Sequence, residues 1–286
     1  MSIRTVSVLG AGLMGRGIAY VSALGGYETR LQDTSKAALD KGLAEIDAIL
    51  EKGVAVGKVA DSDAIASRQR LRGVTSIEAA ADEADLVIEA VPERIDLKVE
   101  IFAQLDKIAP KHAILASNTS SLSITEMAAA TGRAPLVVGL HFFNPVHRMK
   151  LLEIVRALET SDETIAACEA VGARMGKDCV TVRESPGFVT SRINAMIGNE
   201  AFYMLQEGVA SAEDIDKALK LGLNHPMGPF ELVDLVGLDT RLSILRFLHR
   251  SLGEKFRPCP LIEQYVAAGR LGRKAGRGVY DYAGKA

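Results

Sequence analysis

Short apolar runs alternate with helical periodicity over the first two-thirds of the chain. TVSVLG (5–10), ETRLQD (28–33), DLVIEAV (85–91), AILASN (113–118) and LVVGLHFF (136–143) read as strands, and LLEIV (151–155) and CVTV (179–182) extend the series. Alternation of this kind marks βαβ units around a mostly parallel sheet, and near-continuous Val, Ile and Leu suit strands covered on both faces. Residues 35–71 exceed what one crossover helix needs. Leu39, Leu43, Ile46, Ile49 and Leu50 mark one helix and a second starts near Asp61, so a helical hairpin is predicted to project from the sheet.

After RESPGF (183–188) the strand signal stops. Helical text follows in FVTSRINAMIGNEAFYMLQEG, in SAEDIDKALKLG with its Ser cap, and in GPFELVDLVGLDTRLSILRFLHRSLG. The Pro186–Gly187 pair marks the boundary. The expected organisation is an α/β domain over 1–185 and an all-helical domain over 186–286. The apolar faces of the second must pack on something, and a partner subunit would serve.

The first strand runs into VLGAGLMGRG, which places Gly10, Gly12 and Gly15 in a G-x-G-x-x-G turn, with Leu13 and Met14 between the last two. The pattern alone is weak, but here a strand precedes it and a helix follows. Gly10 suits the tight turn, Gly12 the close approach of a pyrophosphate, and Gly15 helix–strand packing. A helix N-terminus adds free N–H groups and a positive dipole for the phosphates. Asp33 ends the second strand, where a carboxylate accepts ribose hydroxyls and repels a 2′-phosphate. The first domain is therefore read as Rossmann-like with NAD, rather than NADP, as cofactor. The competing reading, a glycine-rich turn beside a surface Asp, leaves the spacing unexplained.

HFFNPVHRMKLLEI (141–154) sets a His beside two Phe and a lone Glu inside the next apolar strand. Each costs free energy when buried without a partner. Strands joined through the Pro145 turn can bring His141 and Glu153 together. A carboxylate on one ring nitrogen fixes the tautomer and stabilises the imidazolium, and the other nitrogen can take a proton from an alcohol. With NAD nearby, that is half of an alcohol dehydrogenation. The alternative is a satisfied core histidine beside an Arg-paired Glu; the sheet edge and the cofactor loop favour catalysis. Upstream, ASNTSS (116–121) ends another strand in polar donors. Ser123 and Glu126 read as a capping box. That leaves Ser120 to donate to a substrate oxygen, and the segment lacks the G-x-S-x-G elbow of a nucleophilic serine.

Composition narrows the class. The 286 residues are 48% hydrophobic and 24% charged, with a formal net charge of -2, which gives no reason to expect nucleic acid or an anionic membrane as partner. The basic GRLGRKAGRG (269–278) lacks interleaved aromatics. Three cysteines without C-x-x-C spacing fit a reducing cytosol, and no His, Asp or Glu cluster suggests a metal. The N-terminus enters a strand without a signal-peptide pattern, and no apolar run is long enough for a membrane span. A cytoplasmic enzyme or binding protein is expected.

GAGLMGRGIA, VIEAVPE, ASNTSSLSIT, GLHFFNPVHRMKLLEI, SPGFVTSRI and DIDKALKLGLNHPMGPFELVDLVGLD, in order over nearly the whole chain, resemble the L-3-hydroxyacyl-CoA dehydrogenases, and most closely the bacterial 3-hydroxybutyryl-CoA form. The resemblance implies an NAD-dependent interconversion of (S)-3-hydroxyacyl-CoA and 3-oxoacyl-CoA. It implies His141 as the base, Glu153 as the carboxylate that orients it, and Ser120 on the substrate oxygen. Glu93 and Lys98 match residues on the nicotinamide-ribose side, Asn144 an amide beside the nicotinamide, and Lys274 a lysine near the cofactor. It further implies a homodimer through the helical domain and a hairpin reaching toward the CoA. Lys52 on that hairpin could meet a CoA phosphate, although an exposed helix lysine is the plainer reading. One position departs: Ser191 stands where the family usually has Asn, with Asn194 one turn along. Two rivals remain, a relative acting on a free hydroxy acid or sugar acid, and a non-catalytic NAD-binding protein. The intact Ser120, His141 and Glu153 set argues against the second.

Overall fold

The computed structural model describes residues 2–284, which divide into two compact units at the boundary between Ser185 and Pro186. The first is built on strands β1 (Thr5–Leu9), β2 (Glu28–Gln32), β3 (Leu71–Val74), β4 (Leu86–Glu89), β5 (Ile114–Ser117), β6 (Val137–Phe142), β7 (Leu151–Arg156) and β8 (Asp178–Arg183). They form one sheet in the order β3-β2-β1-β4-β5-β6-β7-β8, parallel throughout except where β6 meets β7. Its helices are α1 (Leu13–Leu24), α2 (Lys36–Ala55), α3 (Asp61–Arg70), α4 (Ile77–Ala81), α5 (Ile95–Ile108), α6 (Ile124–Ala129) and α7 (Asp162–Arg174).

The central strands are apolar because both faces are covered. Val8, Leu86, Ile88, Ile114, Val138 and Leu140 are almost fully buried in one core. At about 1.5–3 kcal/mol per buried aliphatic side chain, this packing is what holds the sheet together. The α2–α3 pair is the expected hairpin. Ser35 caps α2 by accepting from the Ala38 N–H at 3.2 Å, and Leu39, Ile46 and Leu50 are buried on one helical face.

One strand escapes the pattern. The hairpin does not lead straight to β4: Leu71–Val74 first adds β3 to the edge of the sheet beside β2. LRGV holds an Arg and a Gly among four residues and none of them is buried, so no apolar run announces it.

The second unit comprises α8 (Thr190–Gln206), α9 (Ala212–Gly222), α10 (Pro229–Val236), α11 (Leu238–Leu252) and α12 (Pro260–Ala267). Phe202, Phe230, Leu245, Leu248, Phe256 and Ile262 form its core. The helical text over 228–253 is two helices, not one: Gly237, at φ 103°, ends α10 and starts α11. Two buried carboxylates pin the chain's last segment. Asp216 accepts from the N–H groups of Phe230 and Glu231 and from the Tyr280 hydroxyl, and burial pushes its carboxyl above the usual range. Asp234 accepts from the Val279 and Tyr280 N–H groups and the Tyr282 hydroxyl. No helix among the described residues is long and apolar enough to cross a membrane.

Candidate active site

In a parallel sheet the strand carboxyl ends face the crevice where ligands bind, and it opens where the strand order reverses, here between β1 and β4. Gly10 follows β1 at φ 96°, a conformation that disfavours any side chain, and donates its N–H to Gln32 O at 2.7 Å. A Cβ at Gly15 would stand 1.7 Å from Gly10 O, so this glycine lets α1 start against the turn. Gly12 is different. A Cβ there meets no protein atom within 4 Å, so the fold itself makes no demand for glycine. Gly12 also begins α1 without a side-chain cap, which leaves the first-turn N–H groups for an anion.

Gly10, Gly12, Leu13, Met14 and Asp33 line a cavity of about 730 Å³ with Ala90, Val91 and Pro92 after β4 and with residues of α5. Asp33 accepts from the Ala11 N–H through one oxygen and from the Ser35 N–H through the other, both at 2.9 Å. It therefore braces the glycine turn as well as facing the cavity, and a carboxylate has lone pairs to spare for ribose hydroxyls. Cavity, turn and acid together fit a dinucleotide.

Three strands further along the sheet from β1, roughly 14 Å at the usual strand spacing, His141 and Glu153 occupy directly opposed positions on antiparallel β6 and β7. The two side chains converge with His141 Nδ1 2.7 Å from Glu153 Oε2, His141 being 6% exposed and Glu153 1%. The Phe143 ring lies 4.3 Å from the imidazole, centroid to centroid. Antiparallel pairing makes this contact: β7 turns back on β6, so a Glu near its start meets a His near the end of β6.

Between the two lies a polar ladder at the ends of β4 and β5. Glu93 Oε1 accepts from Thr119 Oγ1 at 2.5 Å and from the Ser120 N–H at 3.0 Å, with Ser120 Oγ a long 3.4 Å away. Ser120 is half-buried and its hydroxyl is only weakly committed. Lys98 is almost fully enclosed and does not line the cavity; its ammonium meets Glu89 at 2.6 and 2.8 Å and Glu93 at 3.3 Å. Glu89, absent from the sequence reading, carried the same signal that exposed Glu153: a lone acid in an apolar strand, VIEAV. Ser123 caps α6 by accepting from the Glu126 N–H at 3.1 Å and donates its hydroxyl to Glu184 at 2.6 Å.

The remaining positions stand in other segments of the chain. Asn144 is exposed in the loop after β6, joined to Pro145 by a cis peptide bond. Lys52 is exposed in the last turn of α2. Ser191 is half-buried in the first turn of α8 in the second unit, and the Asn194 side-chain oxygen is taken by Arg241 Nη2 at 3.2 Å. Lys274, in the same unit, pairs with Asp239 at 2.7 Å. No group of three or more His, Cys, Asp or Glu among the described residues can hold a metal.

Comparison with known families decides the class. Residues 5–185 match the NAD-binding domain of 3-hydroxyacyl-CoA dehydrogenase, and residues 187–282 match the C-terminal domain of the same family. The chain belongs to the 3-hydroxyacyl-CoA dehydrogenase family. A probable 3-hydroxybutyryl-CoA dehydrogenase of Bacillus subtilis is 48% identical over 283 residues, covering 99% of this chain and 98% of that one. The 3-hydroxybutyryl-CoA dehydrogenase of Bradyrhizobium diazoefficiens is 45% identical over 283 residues, with 99% and 96% covered. Among solved structures, the (S)-3-hydroxybutyryl-CoA dehydrogenase of Ralstonia eutropha superposes with a TM-score of 0.94 at 48% identity, covering 98% of this chain and 99% of that one. A Rossmann-like NAD-binding domain followed by a helical domain is thus the family architecture in this 3-hydroxyacyl-CoA dehydrogenase.

Proposed function

We propose that this member of the family interconverts (S)-3-hydroxybutyryl-CoA and acetoacetyl-CoA in the cytoplasm, with NAD as the hydride carrier. The buried 2.7 Å contact between His141 and Glu153 at the carboxyl edge of the sheet carries the chemical part of this reading. The names of relatives at 45–48% identity support the short acyl chain.

NAD, when bound, would supply the acceptor for the hydride that leaves C3 of the substrate. The protein's residues handle the proton. Glu153 holds Nδ1 of His141, so Nε2 is the atom that exchanges a proton with the 3-hydroxyl, and the carboxylate stabilises the imidazolium that forms. Ser120 donates its hydroxyl to the same oxygen and orients it. In reduction the imidazolium returns the proton. Asn144, exposed in the loop leaving β6, is assigned to the nicotinamide by the resemblance alone.

Positive charge supports a CoA thioester over a free acid. His147 is held below its ordinary pKa first by burial and then by the charges of Arg148, Lys177, Lys52 and Lys58. Lys52 and Lys58 are exposed on the hairpin, and these are the cations we assign to the CoA phosphates. Lys52→Glu with Lys58→Glu should raise the KM for acetoacetyl-CoA about tenfold and leave kcat nearly unchanged.

The deciding assay follows NADH absorbance with acetoacetyl-CoA, with NADPH and with free acetoacetate in parallel arms. Consumption of NADH with the thioester alone is expected. Equal rates with free acetoacetate would remove the CoA requirement, and no turnover with any pair would overturn the assignment.

A further inference from the structure

We infer that Glu89, which has no part in the proton and hydride steps, is a positioning residue that couples the wall of the dinucleotide cavity to the turn carrying Ser120. This rests on the cofactor and substrate reading above. Glu89 ends β4 with its side chain fully buried. Its two oxygens hold three donors: Lys98 Nζ at 2.6 and 2.8 Å, the Val91 N–H at 2.6 Å and the Ser117 hydroxyl at 2.6 Å.

From that carboxylate the contacts run two ways. Val91 lines the cavity between Ala90 and Pro92, and Lys98 anchors α5, whose Leu97 and Ile101 line it as well. In the other direction Ser117 Oγ accepts from the Thr119 N–H at 3.2 Å, and Lys98 lies 3.3 Å from Glu93, which holds Thr119 Oγ1 and the Ser120 N–H. One buried acid thus sets both the cofactor wall and the substrate-facing hydroxyl.

A buried ion pair is weak evidence for stability, because a neutral pair of similar volume is often as stable. What Glu89 contributes is a fixed geometry. With its charge removed, the Lys98 ammonium keeps Glu93 as its one carboxylate and draws it away from Thr119 and Ser120, while the Val91 and Ser117 donors lose their charged acceptor.

The test compares Glu89→Gln with the charge-balanced Glu89→Gln/Lys98→Met by thermal unfolding, NADH fluorescence titration and turnover of acetoacetyl-CoA. Lys98 is enclosed with its ammonium on Glu89 and Glu93, so replacing it together with Glu89 leaves no unpaired charge buried. The double variant should unfold near the wild-type temperature yet bind NADH about tenfold more weakly. Binding within about twofold of wild type would overturn the inference. It also predicts non-additivity: Glu89→Gln should lower kcat about tenfold alone, but only about twofold in a Ser120→Ala background. Additive losses would count against the link to Ser120. Titration needs no turnover, so a wild-type enzyme inactive on every acyl-CoA would sink the proposed reaction, while NADH binding still decided the role of Glu89.

Discussion

Substitution at His141 should cost chemistry and little else. His141→Ala is expected to lower kcat by about 10²–10⁴-fold, with NADH affinity from fluorescence titration nearly unchanged. A loss of less than about tenfold would remove His141 from the proton step. Asp33 answers to a different substrate. Asp33→Asn keeps an acceptor for the Ala11 N–H while removing the charge that repels a 2′-phosphate. The ratio of kcat/KM for NADH over NADPH should fall at least about tenfold, and an unchanged ratio would show that discrimination lies elsewhere. At this scale Asp33 was a candidate because it ends the strand after the glycine turn, Ser120 because Ser123 accounted for the helix cap, and the His141–Glu153 pair was legible because each is a polar residue in an apolar run. Glu89 obeyed the same rule and was passed over, because the Lys that accounts for it comes from the following helix and not from a neighbouring strand.

Among elements, the glycine turn separates a demand of the fold from a demand of the ligand. Gly15→Ala drives a methyl into Gly10 O, and so should cost stability and cofactor binding together. Gly12→Ala meets no protein atom and should unfold within a few degrees of wild type while binding NADH much more weakly. Equal losses of melting temperature in the two variants would erase the distinction. A second element-scale device joins α5 to the turn before β6. Arg133 Nε donates to Asp106 at 2.7 Å, and its remaining nitrogens donate to carbonyls of Asp106, Ala109 and Pro110. Burial raises the Asp106 pKa, but the Gly132 N–H and the Arg133 guanidinium outweigh it, so the carboxyl sits below its usual range. A depressed folded pKa gives stability that is present above the unfolded value near 3.9 and lost as pH falls through the folded value. Asp106→Asn should therefore lower the melting temperature at pH 7, by about 1–3 kcal/mol in stability. The gap to wild type should close below about pH 4. A gap that persists in acid would refute the charge account. Strand β3 belongs to this scale too: an edge strand packs on one side and needs no apolar run, so its sequence carries no strand signal.

For the molecule as a whole, the exposed apolar residues of the helical unit bear on assembly. Leu221 is 77% exposed and Leu223 65%, with Leu235 and Val236 also partly open. Scattered exposed leucines are ordinary, but several in one small helical unit suit burial against a second copy. A homodimer through this unit is proposed, and Leu221→Glu with Leu223→Glu should shift the mass from light scattering toward the monomer. A wild-type protein that is already monomeric would dismiss the interface.

Periodicity, the G-x-G-x-x-G turn and the acid after the second strand determined by themselves that this chain builds a parallel α/β sheet for a dinucleotide, with helices after residue 186. Those signals are local, since each concerns residues within one turn or strand. The tertiary structure decided how distant polar groups meet. Antiparallel pairing of β6 and β7 set His141 against Glu153. The packing of α5 enclosed Lys98 over Glu89, and register at the sheet edge made a strand of LRGV. Such contacts depend on which strands become neighbours and on which side chains lose water together. That is a property of the whole folded chain, and no short window of sequence contains it.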